Sequence, residues 1–244
     1  MWKTLKNKGL DAPLVPISYI VGGLIAAGFG LAFKQSYSGA LWTVLYGLAM
    51  VLAGGIFVHT SIRGKGLIWD SILKQIQINP TDQVLDLGTG HGLVLLKFAA
   101  KLSASGHATG IDFWRQSDQS ANSLQNTQAI IAEQGFSEIA EVLTADMTDL
   151  PFANQTYNFV VSSMAIHNIK PAAARKKALK EAVRVLAKNG ILIIVDTGHH
   201  KHEYIAVLKS LGLKIESSKT YGIAGWWTGP WMPTYAVIAK QTAG

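Results

Sequence analysis

Charge is absent from two long stretches near the start of the chain, and the remainder alternates between apolar runs and polar, turn-rich segments. Twenty uncharged residues run from Leu14 to Phe33 (LVPISYIVGGLIAAGFGLAF). After Lys34, twenty-four more run from Gln35 to Val58 (QSYSGALWTVLYGLAMVLAGGIFV). About twenty apolar residues, each rising ~1.5 Å, cross a hydrocarbon core of roughly 30 Å. The pattern predicts a two-helix membrane hairpin over residues 14–58. A signal peptide has one short apolar core and fits two full-length runs poorly. A pair of buried helices in a soluble core is the alternative, but uncharged runs this long exceed typical buried helices. Gly22, Gly23, Gly28 and Gly30 in the first run, with Gly47, Gly54 and Gly55 in the second, suit close helix packing in lipid.

Beyond residue 62 the period changes. A connecting helix over about 66–78 ends at the turn signal Asn79-Pro80. Five strands follow at 83–87, 108–112, 140–145, 157–163 and 191–197. Helices to about 102, over 117–134 and over 171–187 separate them, the last ended by Asn189-Gly190. A short helix at 201–211 precedes an antiparallel pair, 213–221 and 234–241. Strands alternating with helices predict an α/β fold with a doubly wound, seven-stranded, mainly parallel sheet. The expected organisation is a hairpin, 1–62, and a second domain, 63–244. Such sheets bind ligands at the carboxyl ends of their strands, near the point where strand order reverses.

Lysine and arginine set the expected orientation. Lys3, Lys6 and Lys8 precede the first span, Arg63 and Lys65 follow the second, and only Lys34 lies between. Both termini are therefore expected in the cytoplasm, as a two-pass membrane protein, with Trp2, Trp42 and Trp69 near interface levels. Of the 244 residues, 49% are apolar and 15% charged. That composition excludes a disordered chain, and the lack of cysteine excludes disulfide scaffolds and thiolate zinc sites. Net charge is +7, but residues 63–244 carry 18 Lys+Arg against 14 Asp+Glu, a net of +4. That is too mild to argue for nucleic acid as a partner. Arg175, Lys176, Lys177 and Lys180 read as the solvated face of a helix. No metal-ligand constellation and no G-x-S-x-G elbow occurs in the sequence.

The first strand runs into VLDLGTGHG, residues 84–92. Gly88, Gly90 and Gly92 let backbone approach a ligand before the next helix. Leu93 breaks the dinucleotide fingerprint G-x-G-x-x-G, and no phosphate loop ending in Gly-Lys-Ser/Thr is present. Asp86 in the turn repels a pyrophosphate and favours a cation. The pattern D-x-G-x-G-x-G resembles motif I of class I S-adenosylmethionine-dependent methyltransferases. Strand two ends at Asp112, followed by Phe113 and Trp114; strand three leads to Asp146-Met147. The segment DLPFANQTYNFVV, within residues 149–169, resembles the small-molecule group that includes the ubiquinone/menaquinone enzymes. The likeness covers about 80–198 in order and spacing. It implies S-adenosylmethionine as cofactor: the glycine loop and Asp86 at its charged end, Asp112 on the ribose hydroxyls, Phe113 and Trp114 over the adenine. It also implies Asp146 and Met147 at the adenine edge, with Ser163 completing the set. Departures are Thr89, His91 and Asn158, which remove no required group. The Asn/Asp-Pro-Pro-Tyr box of nitrogen methyltransferases is missing.

A phenol or enolised carbon needs a base to become nucleophilic. His167, just past strand four in AIHNI, is the candidate; His199 and His200 read as surface or structural, Asp196 as structural and His59 as interfacial. The expected activity is methyl transfer to a small molecule or lipid-like acceptor by a membrane-anchored enzyme. Methylation of a soluble metabolite or protein side chain, or a non-catalytic cofactor-binding membrane protein, are the alternatives. YGIAGWWTGPWMP, 221–233, has three roles open to it: packing on the sheet edge, dipping into the membrane interface, or lining substrate entry.

Overall fold

The computed structural model describes residues 9–241; Trp2, Lys3, Lys6 and Lys8 lie outside the described residues. Two apolar helices come first, α1 (Leu14–Ala32) and α2 (Ala40–His59). They run against each other as a tight hairpin. A Cβ on Gly23 would stand 2.6 Å from the Gly47 carbonyl oxygen, and one on Gly47 would stand 2.5 Å from that of Gly23. Only glycine permits this approach. Gly28 and Gly55 face open space and take no part in the seam. The outer faces are uncovered, with Leu14 79% and Trp42 74% exposed. Both helices are long and apolar enough to cross a membrane, and only 22% of each span is buried.

The second helix does not stop at the hairpin's base. It continues through a π-helical turn (Thr60–Gly64) into α3 (Lys65–Leu73), so one helix of 34 residues joins the hairpin to the rest of the molecule. The 62/63 boundary falls inside that turn. Ile68, Trp69 and Ile72 on α3 are fully buried, and Trp69 meets Phe98 edge-on at 6.4 Å. The tryptophan-rich segment packs on this junction. The Trp227 ring sits 4.8 Å from that of Phe57, and the Thr60 hydroxyl donates to the Trp226 carbonyl. Trp231 remains 68% exposed.

The sheet contains β1 (Gln83–Leu87), β2 (His107–Asp112), β3 (Ala140–Thr144), β4 (Tyr157–Ser163), β5 (Leu186–Asp196), β6 (Leu213–Thr220) and β7 (Tyr235–Gln241). Their order is β3-β2-β1-β4-β5-β7-β6. The first five are parallel, and β7 runs antiparallel to β5 and β6. Helices α4 (Leu93–Ala99) and α5 (Leu124–Glu133) pack with α3 on one face; α6 (Ala172–Val185) and α7 (Lys201–Ser210) cover the other. Covered on both faces, β1 and β4 are almost continuously buried, as central parallel strands are. Strand order reverses between β1 and β4, which opens a crevice at their carboxyl ends.

Several expected boundaries move: the connecting helix expected to reach 78 ends at Leu73, and the one expected to reach about 102 ends at Ala99. The helix expected over 117–134 begins only at Leu124, where Ser123 caps it by accepting from the Asn126 amide. Residues before it form a loop paired with an N-terminal arm: Asp11 and Gln119 make an antiparallel bridge. The Ala12 amide donates to the Asp118 carbonyl, and the Ser120 amide donates to that of Leu10. The helix expected to reach 187 ends at Val185, and the fifth strand starts at Leu186 rather than 191. The Gln155 and Thr156 amides capture the Arg184 and Val185 carbonyls, and Leu186 already pairs with Tyr157.

Candidate active site

A cleft of about 310 Å³ opens at the carboxyl ends of β1, β2 and β4. Asp86, Gly88, Gly90, Asp112, Phe113, Asp146, Met147 and Ser163 all line it, as expected from the sequence. Gly92 and His167 are not among its lining residues. Gly92 caps the start of α4 in the left-handed conformation, with φ +77°.

The glycine loop is held in place from several sides. A Cβ on Gly88 would lie 2.2 Å from that of Ala165, and one on Gly90 would lie 2.4 Å from Gln119 Oε1. The Gly90 amide donates to Asp112 Oδ2 at 2.9 Å, and the His91 amide donates to Gln119 Oε1 at 3.1 Å. Asp112 Oδ1 accepts from the Trp114 amide and from Asn122 Nδ2. An ionised carboxylate offers about four lone-pair sites, so three protein donors leave capacity for a ligand hydroxyl. Phe113 is half exposed on the cleft wall. Trp114 corrects the expectation for the adenine face: its indole turns toward β3 and donates to Thr144 Oγ1 at 2.7 Å. Asp146 Oδ1 accepts from the Thr148 amide.

Asp86 is almost fully buried. Its Oδ2 accepts from Thr89 Oγ1 at 2.8 Å and from the Leu95 amide at 3.2 Å, but its Oδ1 has no protein partner. Burial raises its pKa from 3.8 to about 7, against those two hydrogen bonds and with help from the Asp112 charge. In the free protein this carboxyl at the cleft floor therefore keeps its proton to much higher pH than an exposed one.

His167 lies on a 3-10 turn (Ile166–Asn168) just beyond the loop after β4. Its Nδ1 is 2.5 Å from Asp196 Oδ1, and its amide donates to Asp196 Oδ2 at 3.0 Å. Asp196 is fully buried and also accepts from the Thr197 amide and the Tyr204 hydroxyl. Burial pulls the imidazole pKa down, but the hydrogen bond and charge of Asp196 outweigh it and leave the value raised. His200 is engaged elsewhere, with Nδ1 3.3 Å from Glu203, which also binds Arg175.

Sequence reasoning missed Asp11, Lys65, Gln119 and Asn122, all of which line the cleft. One signal was available: Asp11 is the only acidic residue before Asp70.

The strand order and this cleft define a Rossmann-like fold of the class I methyltransferase type. Residues 85–194 match the family described as "Methyltransferase domain". The ubiquinone/menaquinone biosynthesis C-methyltransferase UbiE of Geotalea daltonii is 29% identical over 124 residues, 51% of this chain and 49% of that protein. The 2-phytyl-1,4-naphtoquinone methyltransferase of a Nostoc species is 27% identical over 134 residues, 54% of this chain and 55% of that protein. The match spans about half the length of these relatives. Among solved structures, a SAM-dependent methyltransferase from Aquifex aeolicus superposes with a TM-score of 0.55 at 19% identity, covering 70% of this chain and 88% of that one. Residues 85–194 are thus similar to a methyltransferase domain, on the fold of S-adenosylmethionine-dependent methyltransferases.

The cleft fits S-adenosylmethionine on two observations. The glycine loop has no room for a Cβ where backbone meets the cavity. The unpartnered Asp86 Oδ1 is a buried acceptor whose ionised form a nearby positive charge would favour.

Proposed function

We propose that this protein moves a methyl group from S-adenosylmethionine to a small lipophilic acceptor of quinone type, at a membrane crossed twice by residues 14–58 with both termini cytoplasmic. The observation that carries the reading is the glycine loop wedged between Ala165 and Gln119, with Asp86 and Asp112 at its two ends. Similarity to two quinone methyltransferases supports the acceptor class. The uncovered faces of α1 and α2 support the anchor, which would raise the local concentration of an acceptor dissolved in the bilayer.

Bound S-adenosylmethionine supplies an electrophilic methyl group on a sulfonium. The chain's own task is to bind, align and desolvate the acceptor and to remove its proton. Gly88, Gly90, Asp112, Phe113, Asp146, Met147 and Ser163 would hold the cofactor, with Asp86 beneath its charged end. His167 is the proposed base. An ionised carboxylate only accepts hydrogen bonds, so Asp196 holds the Nδ1–H tautomer and leaves Nε2 to take a proton from a hydroxyl or an acidic carbon. Its place outside the cofactor cleft, one turn past Ala165, suits contact with the acceptor rather than the cofactor.

The test is incubation of the full chain, in detergent or nanodiscs, with methyl-labelled S-adenosylmethionine and either a membrane lipid extract or an aqueous metabolite extract. Label entering the organic phase is expected. Label confined to aqueous metabolites or to protein overturns the lipophilic acceptor, and no labelled product in any arm overturns methyl transfer.

A further inference from the structure

Two charged residues that flank the hairpin in sequence meet at the cleft. Asp11 stands just before α1, and Lys65 opens α3 just after the turn that ends α2. Lys65 Nζ lies 2.6 and 2.8 Å from the two Asp11 carboxylate oxygens. Asp11 is further fixed by the Ser61 hydroxyl at 2.7 Å and approached by Gln119 Nε2 at 3.5 Å. Lys65 is only 6% exposed, yet both residues line the cavity. A lysine is rarely buried this deeply unless it is paired, and Asp11 is its partner here. One carboxylate leaves an ammonium N–H to spare.

Their position along the cleft is fixed by the sheet. Asp112 stands at the end of β2, and Asp146 and Met147 follow β3, so the adenosine end of a bound cofactor faces the β2–β3 side. Lys65 reaches the cleft from α3, the helix bonded to the tip of β4. It is one helical turn before Trp69 on the same face of α3, and Trp69 Nε1 donates to Ser163 Oγ at the tip of β4 at 2.9 Å. Asp11 is joined through Gln119, in the loop after β2, to the glycine loop at His91. A neighbouring cation and anion in a partly desolvated pocket complement a zwitterion, and the end of S-adenosylmethionine remote from adenine is an α-amino acid.

We infer that the two feet of the hairpin complete the cofactor site: Lys65 binds the α-carboxylate of the cofactor's amino-acid end, and Asp11 is the positioning residue that aims the Lys65 ammonium. The inference rests on the methyltransferase reading and deepens it. A pocket half-built by residues on either side of the hairpin ties cofactor binding to an intact hairpin.

The test compares two ligands on the full chain by calorimetry. S-adenosylhomocysteine carries the amino-acid end; 5′-methylthioadenosine keeps the adenosine and sulfur but lacks it. Lys65→Met is expected to weaken S-adenosylhomocysteine about 10- to 100-fold, the worth of a hydrogen bond to a charged group, and to leave 5′-methylthioadenosine within about twofold. Asp11→Asn is expected to give a smaller loss with the same selectivity. Thermal melting without ligand checks that each variant folds, and Lys65→Gln replaces Lys65→Met if the latter does not. Equal losses for both ligands assign the pair to packing and overturn the inference, as does unchanged binding of S-adenosylhomocysteine. A wild-type chain that binds neither ligand overturns the methyltransferase reading itself, a different result from selective failure in the variants.

Discussion

Replacing Asp86 with asparagine should make the free protein more stable at pH 8 while weakening its hold on S-adenosylmethionine. The unfolded carboxyl titrates near 3.8 and the folded one near 7. Between those values the folded state holds a proton that the unfolded state has lost. Stability of the free protein therefore falls as pH rises from about 4 to 7, and is flat above that. At 1.36 kcal/mol per pH unit, the interval corresponds to about 4 kcal/mol. Asparagine removes that cost but places an amide donor where Oδ1 now has no partner, giving back about 1–3 kcal/mol. A net gain of about 2 kcal/mol at pH 8 would raise the melting temperature by roughly 4–8 °C for a chain of this size. The assay is thermal unfolding of both proteins in the same detergent at pH 8 and pH 4, with and without ligand. The gain should vanish at pH 4, where wild-type Asp86 is already neutral. A variant equally destabilised at both pH values would refute the reasoning and make Asp86 a structural carboxylate satisfied by Thr89 and Leu95.

Four further outcomes are expected. S-adenosylmethionine should bind more tightly at pH 8 than at pH 6 and release a proton on binding near pH 7, because its positive charge favours ionised Asp86; calorimetry in two buffers of different ionisation enthalpy measures this. His167→Ala should lower turnover by about 10²- to 10⁴-fold with S-adenosylhomocysteine affinity intact. Asp196→Asn should move the acidic limb of the rate profile to lower pH while reducing its maximum, since Asp196 is what raises the imidazole pKa. A loss below about threefold in His167→Ala, with the natural acceptor, assigns this histidine to packing. The chain should sediment with membranes after alkaline washing, with residues beyond 66 cleaved by protease only from the cytoplasmic side; recovery in the soluble fraction without detergent contradicts the anchor.

The parts of the site that lie close together in sequence were legible in it. Short strand-like segments bounded by turn residues marked β1, β2 and β4, and the ligand groups lie at or within a few residues of their ends: Asp86 with its glycines, Asp112 with Phe113, Ser163 as the last residue of its strand. Asp11 and Lys65 were not legible, because only the folding back of α1 on α2 brings them together. Gln119 was placed in a helix because QSDQSANSLQNT has helix-compatible polar composition and no apolar period to fix its start. Backbone bonds to Leu10 and Ala12 decide the matter instead. The early end of α6 has a similar origin, since the amides that take its last carbonyls belong to residues 155 and 156. His167 was found by position, but its partner was not: Asp196 lies 29 residues away at the end of a different strand.

The central claim is that the cleft at the ends of β1, β2 and β4 is an S-adenosylmethionine site, and calorimetric titration of the full chain with that cofactor tests it most directly. One saturable site is expected, competed by S-adenosylhomocysteine and weakened by about 1.5–3 kcal/mol in Asp112→Ala, the worth of hydrogen bonds to a charged group. Affinity unchanged in Asp112→Ala would remove that carboxylate from the ribose, and a folded wild-type chain with no saturable binding would contradict the account at its root.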